Sequence, residues 1–99
     1  MEFNEKLYTQ KSDLLKVLAH PIRLCIVRGL LDHGSCNVSH MEGCLNVSQS
    51  AISQHLAKLK SAGVLSVKRS GNTNYYELVN PEVVRVIVCL FNEEGKEIA

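Results

Sequence analysis

The stretch NVSQSAISQHLAKLKSAG, residues Asn46–Gly63, decides how this chain folds. Ile52, Leu56 and Leu59 recur at i, i+4 and i+7, the spacing of a single α-helical face. Ser48 can cap that helix by accepting a hydrogen bond from a first-turn N–H, and Gly63 stands where helices commonly end, so a helix is expected from the Ser48 cap to Ala62. Just upstream, Asn37 is a fair cap for a short helix Val38–Leu45 with Val38, Met41 and Leu45 on one face, and Asn46 tolerates the left-handed backbone of a tight turn. Two helices joined by three or four residues are the raw form of a helix-turn-helix.

Working outward, Leu7, Leu14, Leu15 and Leu18 form a helical stripe over Glu5–Leu18, which ends ahead of Pro21. Pro21 suits the first turn of a second helix, whose buried side carries Ile22, Ile26, Leu30 and Leu31 and which stops at Asp32 or His33, before Gly34. Downstream, residues 64–69 and 74–78 are rich in strand formers and flank Ser70-Gly71-Asn72-Thr73, which gives a β-hairpin with a basic, polar tip. Asn80-Pro81-Glu82 starts a last helix through VVRVIVCLF; that run alone could also be a buried strand, but Val83, Ile87 and Phe91 keep helical spacing. The charged tail from Asn92 is expected to fray. The expected fold is mainly α with a small β-hairpin: helix, helix, an optional short strand, helix, helix, hairpin, helix.

A chain of 99 residues, 45% of them apolar, supports one domain over 1–99 and leaves a helical fold with limited apolar burial, so pairing with a second copy is expected. No run approaches the ~20 apolar residues that span a bilayer. The start MEFNEKLYTQKS lacks the apolar run of a signal peptide, so no membrane association and a cytoplasmic location are expected. In that compartment Cys25, Cys36, Cys44 and Cys89 are read as free thiols.

The formal net charge of +1 hides an uneven distribution: from Gly43 to Tyr76 there is no Asp or Glu, while Lys58, Lys60, Lys68 and Arg69 all fall there. Such a field draws a polyanion to the middle of the chain. With Ile52, Leu56 and Leu59 turned inward, Ser50, Ser53, Gln54, Ala57, Lys58 and Ser61 must face outward. An ordinary solvated face would be rich in Glu and Lys. This one offers hydroxyls and amides: Gln54 can bond N6 and N7 of adenine in a major groove, Ser can bond a base edge or phosphate, and Lys58 reaches phosphate. Enzymes are disfavoured, since no Gly-rich phosphate loop, paired carboxylates or nucleophile elbow is present, and no cofactor is expected. A winged-helix module that binds protein instead of DNA would need an apolar or acidic outer face, which Ser50, Ser53, Gln54 and Lys58 contradict.

The runs LAHPIRLCIV and LNVSQSAISQHLAKLKSAGVLSVKRSGNTNYYEL strongly resemble the ArsR/SmtB family of small bacterial winged helix-turn-helix repressors, over about Leu14 to Leu78. The resemblance implies a homodimer through the first and last helices, the fourth helix in the major groove of double-stranded DNA, and the hairpin as a wing on the backbone or minor groove. Matching positions carries DNA-binding roles onto Ser48, Gln49, Ser50, Ser53, Gln54 and His55 on the helix and Lys68, Arg69 and Asn72 on the wing. A two-fold dimer of this kind reads an inverted-repeat operator with half-sites about one helical turn apart.

Family members respond to an inducer, often a thiophilic metal or a reactive sulfur species. The histidine-bearing zinc site of the last helix is excluded, because no His follows His55. The family's Cys-Val-Cys pair is replaced by Asn37-Val38-Ser39, with Cys36, His40 and Cys44 nearby as an alternative soft-metal or arsenite set. Relatives that sense persulfide or oxidant use one cysteine in the second helix and one in the fifth, which makes Cys25 and Cys89 the thiol-sensor candidates, although the family's second-helix position falls on Arg28. The competing reading for every one of these cysteines is a small structural hydrophobe.

Overall fold

A computed structural model describes Met1–Asn92. Seven elements follow in order: α1 Glu5–Leu18, α2 Pro21–His33, α3 Val38–Leu45, α4 Gln49–Ser61, β1 Leu65–Ser70, β2 Thr73–Leu78 and α5 Pro81–Phe91. The tail from Glu93 onward, expected to fray, lies outside the described residues.

Each helix begins on a side-chain cap. Asn4 Oδ1 accepts from Leu7 N at 3.0 Å, His20 Nδ1 from Ile22 N at 3.1 Å, and Asn37 Oδ1 from His40 N at 2.8 Å. Ser48 Oγ accepts from Ala51 N at 3.1 Å, and Asn80 Oδ1 from both Glu82 N and Val83 N. These bonds satisfy first-turn donors that have no partner inside the helix. The cap at His20 has no cue in its residue type; Pro21 at the first helical position forces it into the extended backbone a cap needs. Asn46 carries the turn between α3 and α4 with φ of 56°, and Gly63 ends α4 with φ of 77°. α4 stops at Ser61, one residue short of the expected end, because Ala62 already forms the cap.

The hairpin is tighter than its sequence suggests. Ser70 pairs with Thr73, leaving only Gly71 and Asn72 as the loop. Gly71 has φ of 63° and Asn72 is not among the positive-φ residues, the arrangement of a type II′ turn with glycine first. The optional strand ahead of α3 is a single bridge: Cys36 N donates to Tyr76 O at 3.1 Å, and Tyr76 N to Cys36 O at 2.8 Å.

Ile52, Leu56 and Leu59 of α4 are sealed at the centre of the core with Val27 of α2, Val64 and Val83. α5 is a helix, with Val83 and Ile87 buried. Only part of the expected α1 stripe is covered: Leu18 is buried and Leu14 half-buried, whereas Leu7 and Leu15 are exposed. The core of one chain is too small to cover both sides of a terminal helix. Val88 and Leu90 of α5 are exposed in the same way, and Lys11 of α1 holds Glu82 of α5 at 2.8 Å.

Candidate DNA interface

α4 presents two sharply different sides. Ile52, Leu56 and Leu59 are 0%, 1% and 0% exposed, while Gln49, Ser50, Ser53, Gln54, Ala57 and Lys58 are all exposed. The outer side carries no acid, so nothing on it repels a phosphate. Ser48 is also exposed, but its hydroxyl oxygen is engaged as the cap.

His55 departs from this face. It is half-buried against the start of α2, where Arg23 donates from Nη1 to His55 Nδ1 at 3.1 Å and the His20 ring lies 4.5 Å from the His55 ring. Arg23 is itself only 9% exposed and donates from Nε to Val17 O at 2.5 Å, so the guanidinium links the end of α1, α2 and α4. Burial pushes the His55 imidazole below its ordinary pKa, helped by the positive surroundings of His20, Arg23 and Lys58. A neutral His55 then accepts the Arg23 bond. In this position the imidazole braces the helix instead of reaching outward. A polar triad of this kind leaves little trace in sequence: Arg23 sits in an apolar helix, and only the pairing of its fold partners reveals why.

The wing adds its groups beside α4. A polar cleft is lined by Gln49 and Ser53 of α4, by Asn72, Thr73 and Asn74 of the hairpin, and by Asn37 and Ser39 at the start of α3. The structure therefore brings Gln49 and Ser53 of α4 together with Asn72 of the hairpin. Sequence reasoning gives none of Asn37, Ser39, Thr73 and Asn74 a part in the interface, because β1–β2 pairing places Thr73 and Asn74 here and the Cys36–Tyr76 bridge holds the start of α3 beside them. Lys68 and Arg69 are both exposed, but they differ: Lys68 Nζ lies 3.4 Å from Glu77 Oε1 of the opposite strand. The acid-free segment ends one residue before Glu77, and strand pairing folds that acid back onto the basic tip.

The sensing candidates are scattered. Cys25 lines a cavity between α2 and α3, whereas Cys89 lines a separate depression along α5 with Glu82 and Arg85. At the end of α5 the Arg28 guanidinium of α2 lies 4.4 Å from the Phe91 ring centre. Cys36, His40 and Cys44 line one cavity, with Cys44 Sγ 3.7 Å from His40 Nε2. Among the described residues, no three His, Cys, Asp or Glu side chains are already grouped to hold a metal ion. Among those residues, too, no helix is long and apolar enough to cross a membrane.

The sequence model of the bacterial regulatory protein, arsR family, matches residues 20–67. The transcriptional repressor PagR of Bacillus anthracis is 42% identical over 79 residues, which cover 80% of this chain and 79% of PagR. The biofilm growth-associated repressor of Agrobacterium fabrum is 34% identical over 87 residues, 88% of this chain and 74% of the relative. The solved structure of HlyU from Vibrio cholerae superposes with a TM-score of 0.86 at 34% identity, covering 94% of this chain and all 100% of HlyU. With its helix-turn-helix, hairpin wing and flanking helices in place, the chain belongs to the ArsR/SmtB family of winged helix-turn-helix transcriptional repressors, and is a DNA-binding regulator and not an enzyme.

Proposed function

We propose that the chain represses transcription as a homodimer bound to an inverted-repeat operator, and that a thiol-reactive inducer releases it. The observation that carries the DNA reading is the exposed, acid-free face of α4 running into the polar cleft shared with the wing. Gln54 and Ser53 read base edges in the major groove, the α4 N-terminus and Lys58 hold phosphates, and Arg69 and Asn72 reach the backbone from the wing. Leu7, Tyr8 and Leu15 of α1 with Val88 and Leu90 of α5 are exposed apolar side chains on two helices tied by Lys11 and Glu82, and a second copy would cover them.

Footprinting on the DNA upstream of the gene tests this. Two protected half-sites, about one helical turn apart and related by an inverted repeat, are expected. One asymmetric site per chain, or no sequence-specific protection at physiological salt, would sink the reading and favour a protein-interaction module.

A further inference from the structure

Between α2 and α3 lies a cavity of about 200 Å³ walled by Ile26, Leu30, Met41 and Leu45, with thiols of Cys25, Cys36 and Cys44 and imidazoles of His33 and His40 in its lining. Apolar cavities of roughly 150 Å³ are enough to take up a single six-membered carbon ring. An adjoining depression shares His33, Cys36, His40 and Cys44, so these groups stand where the cavity meets solvent. One wall is Gly29, in the middle of α2. A mid-helix glycine costs about 1 kcal/mol relative to alanine. Packing does not require it, because a Cβ there would meet nothing within 4 Å, and its φ is not in the left-handed range. Its effect is to leave the cavity open.

Building on the thiol-reactive release proposed above, we infer that this cavity captures a small apolar α,β-unsaturated carbonyl compound, with Cys44 as nucleophile and His40 as its base. The close contact of Cys44 Sγ is with an imidazole, at 3.7 Å. Cys36, half-buried, is held above the usual thiol range by burial and then by Cys44, and stays protonated beside it. In the capture step His40 Nε2 takes the Sγ proton and the sulfur forms a bond to the β-carbon. The C=C pair moves to the α-carbon and carbonyl oxygen, and the proton returns from His40 to that enolate. The addition is redox-neutral and needs neither a metal nor a second thiol. An apolar wall gains free energy from a carbon ring and none from a small hydrophilic sulfur species. The adduct wedges α3 away from α2, and α3 carries Asn37 and Ser39 into the cleft beside Gln49 and Ser53.

Cys25 is an internal reference, exposed like Cys44 and lining the same cavity, but away from the α5 edge that a second copy would cover. The reduced full chain is treated with cyclohex-2-enone, and adduct formation at each cysteine is followed by peptide mass spectrometry. Cys44 is expected to react about tenfold faster than Cys25, since Cys44 has the His40 imidazole at 3.7 Å to take its proton. His40→Ala, at an exposed position, should bring Cys44 down to the rate of Cys25. Gly29→Leu should slow Cys44 as well, by filling the cavity, with the circular dichroism unchanged; if that variant loses its fold, His40→Ala decides alone. Similar rates at Cys44 and Cys25, faster reaction at Cys25, or a ratio indifferent to His40→Ala would overturn the inference. The labelling ratio is read without DNA, so it stands or falls separately from operator binding. In a parallel anisotropy titration, enone should release wild-type protein from the operator while Cys44→Ser stays bound; release of Cys44→Ser to the same extent overturns the link to regulation.

Discussion

α4 and α5 sink similar apolar edges into one core and differ in what they leave outside. On α4 the outer side chains include Ser50, Ser53, Gln54 and Lys58; on α5 they include Arg85 but run on to Val88, Cys89 and Leu90. The buried edges are interchangeable in kind, since Ile52 and Leu56 do for α4 what Val83 and Ile87 do for α5. The outer faces are not. A helix edged with amides and hydroxyls without acids suits a polyanion whose base edges must be read by hydrogen bonds, whereas an uncovered aliphatic edge gains free energy only by meeting another apolar surface. Function in this small fold is written on the side of each helix that the core does not use.

The largest expected effect comes from α5. Replacing Val88 and Leu90 together by Glu places charges where two copies would meet, and each copy would then bind one half-site alone. Sedimentation should show the monomer, and operator affinity should drop by about 10²–10⁴-fold as the effective concentration of the linked half-site disappears. An unchanged dimer would show that the apolar edge of α5 lies outside the interface. Next comes α4. Gln54→Ala should leave thermal stability within about 0.5 kcal/mol, as an exposed position does, and should narrow the preference for the operator over a base-substituted site by about 1–3 kcal/mol. Competition anisotropy on the two sequences reads that difference, and a uniform weakening on both would reassign Gln54 to phosphate binding.

Most of the fold was legible because helical periodicity, caps and breakers agree locally. Ser48, Asn37 and Asn80 cap where expected, and Pro21 and Gly34 bracket α2. What the sequence hid were relations between elements. The burial of Ile52 forces Ser53 outward within one helix, but nothing in a linear reading places His55 against Arg23, thirty-two residues away, or Glu77 against Lys68 across the hairpin. The thiol pair Cys25 and Cys89 rests on resemblance, and the folded chain puts the two in different cavities. Side-chain type and spacing carried the outer face of α4. Register and packing, which depend on the whole fold, decided the rest.

The wing separates two cations of similar sequence context. Arg69 has an exposed side chain at the hairpin tip, and Lys68 already lies near Glu77. Removing a cation that neutralises one phosphate should lower the slope of log affinity against log salt by about one. Arg69→Ala is therefore expected to reduce the slope by about that amount, and Lys68→Ala by less, because its charge is partly spent within the protein. Equal slopes for both variants would mean that Lys68 leaves Glu77 for the DNA.

The smallest effect expected is a pH dependence of the brace behind α4. Folding lowers the His55 pKa, through burial first and then His20, Arg23 and Lys58. The unfolded chain therefore binds the proton more readily than the folded one. The sign follows: the contribution is fully present above the ordinary imidazole value near 6.5 and is lost as the pH falls below it. His55→Gln keeps an acceptor for Arg23 but cannot titrate. Urea unfolding at neutral and mildly acidic pH should show wild type losing more stability on acidification than this variant. Parallel decreases would place the acid sensitivity outside the contact between α2 and α4. A smaller decrease in the variant would show that α4 is held from behind by a neutral imidazole packed against Arg23 of α2.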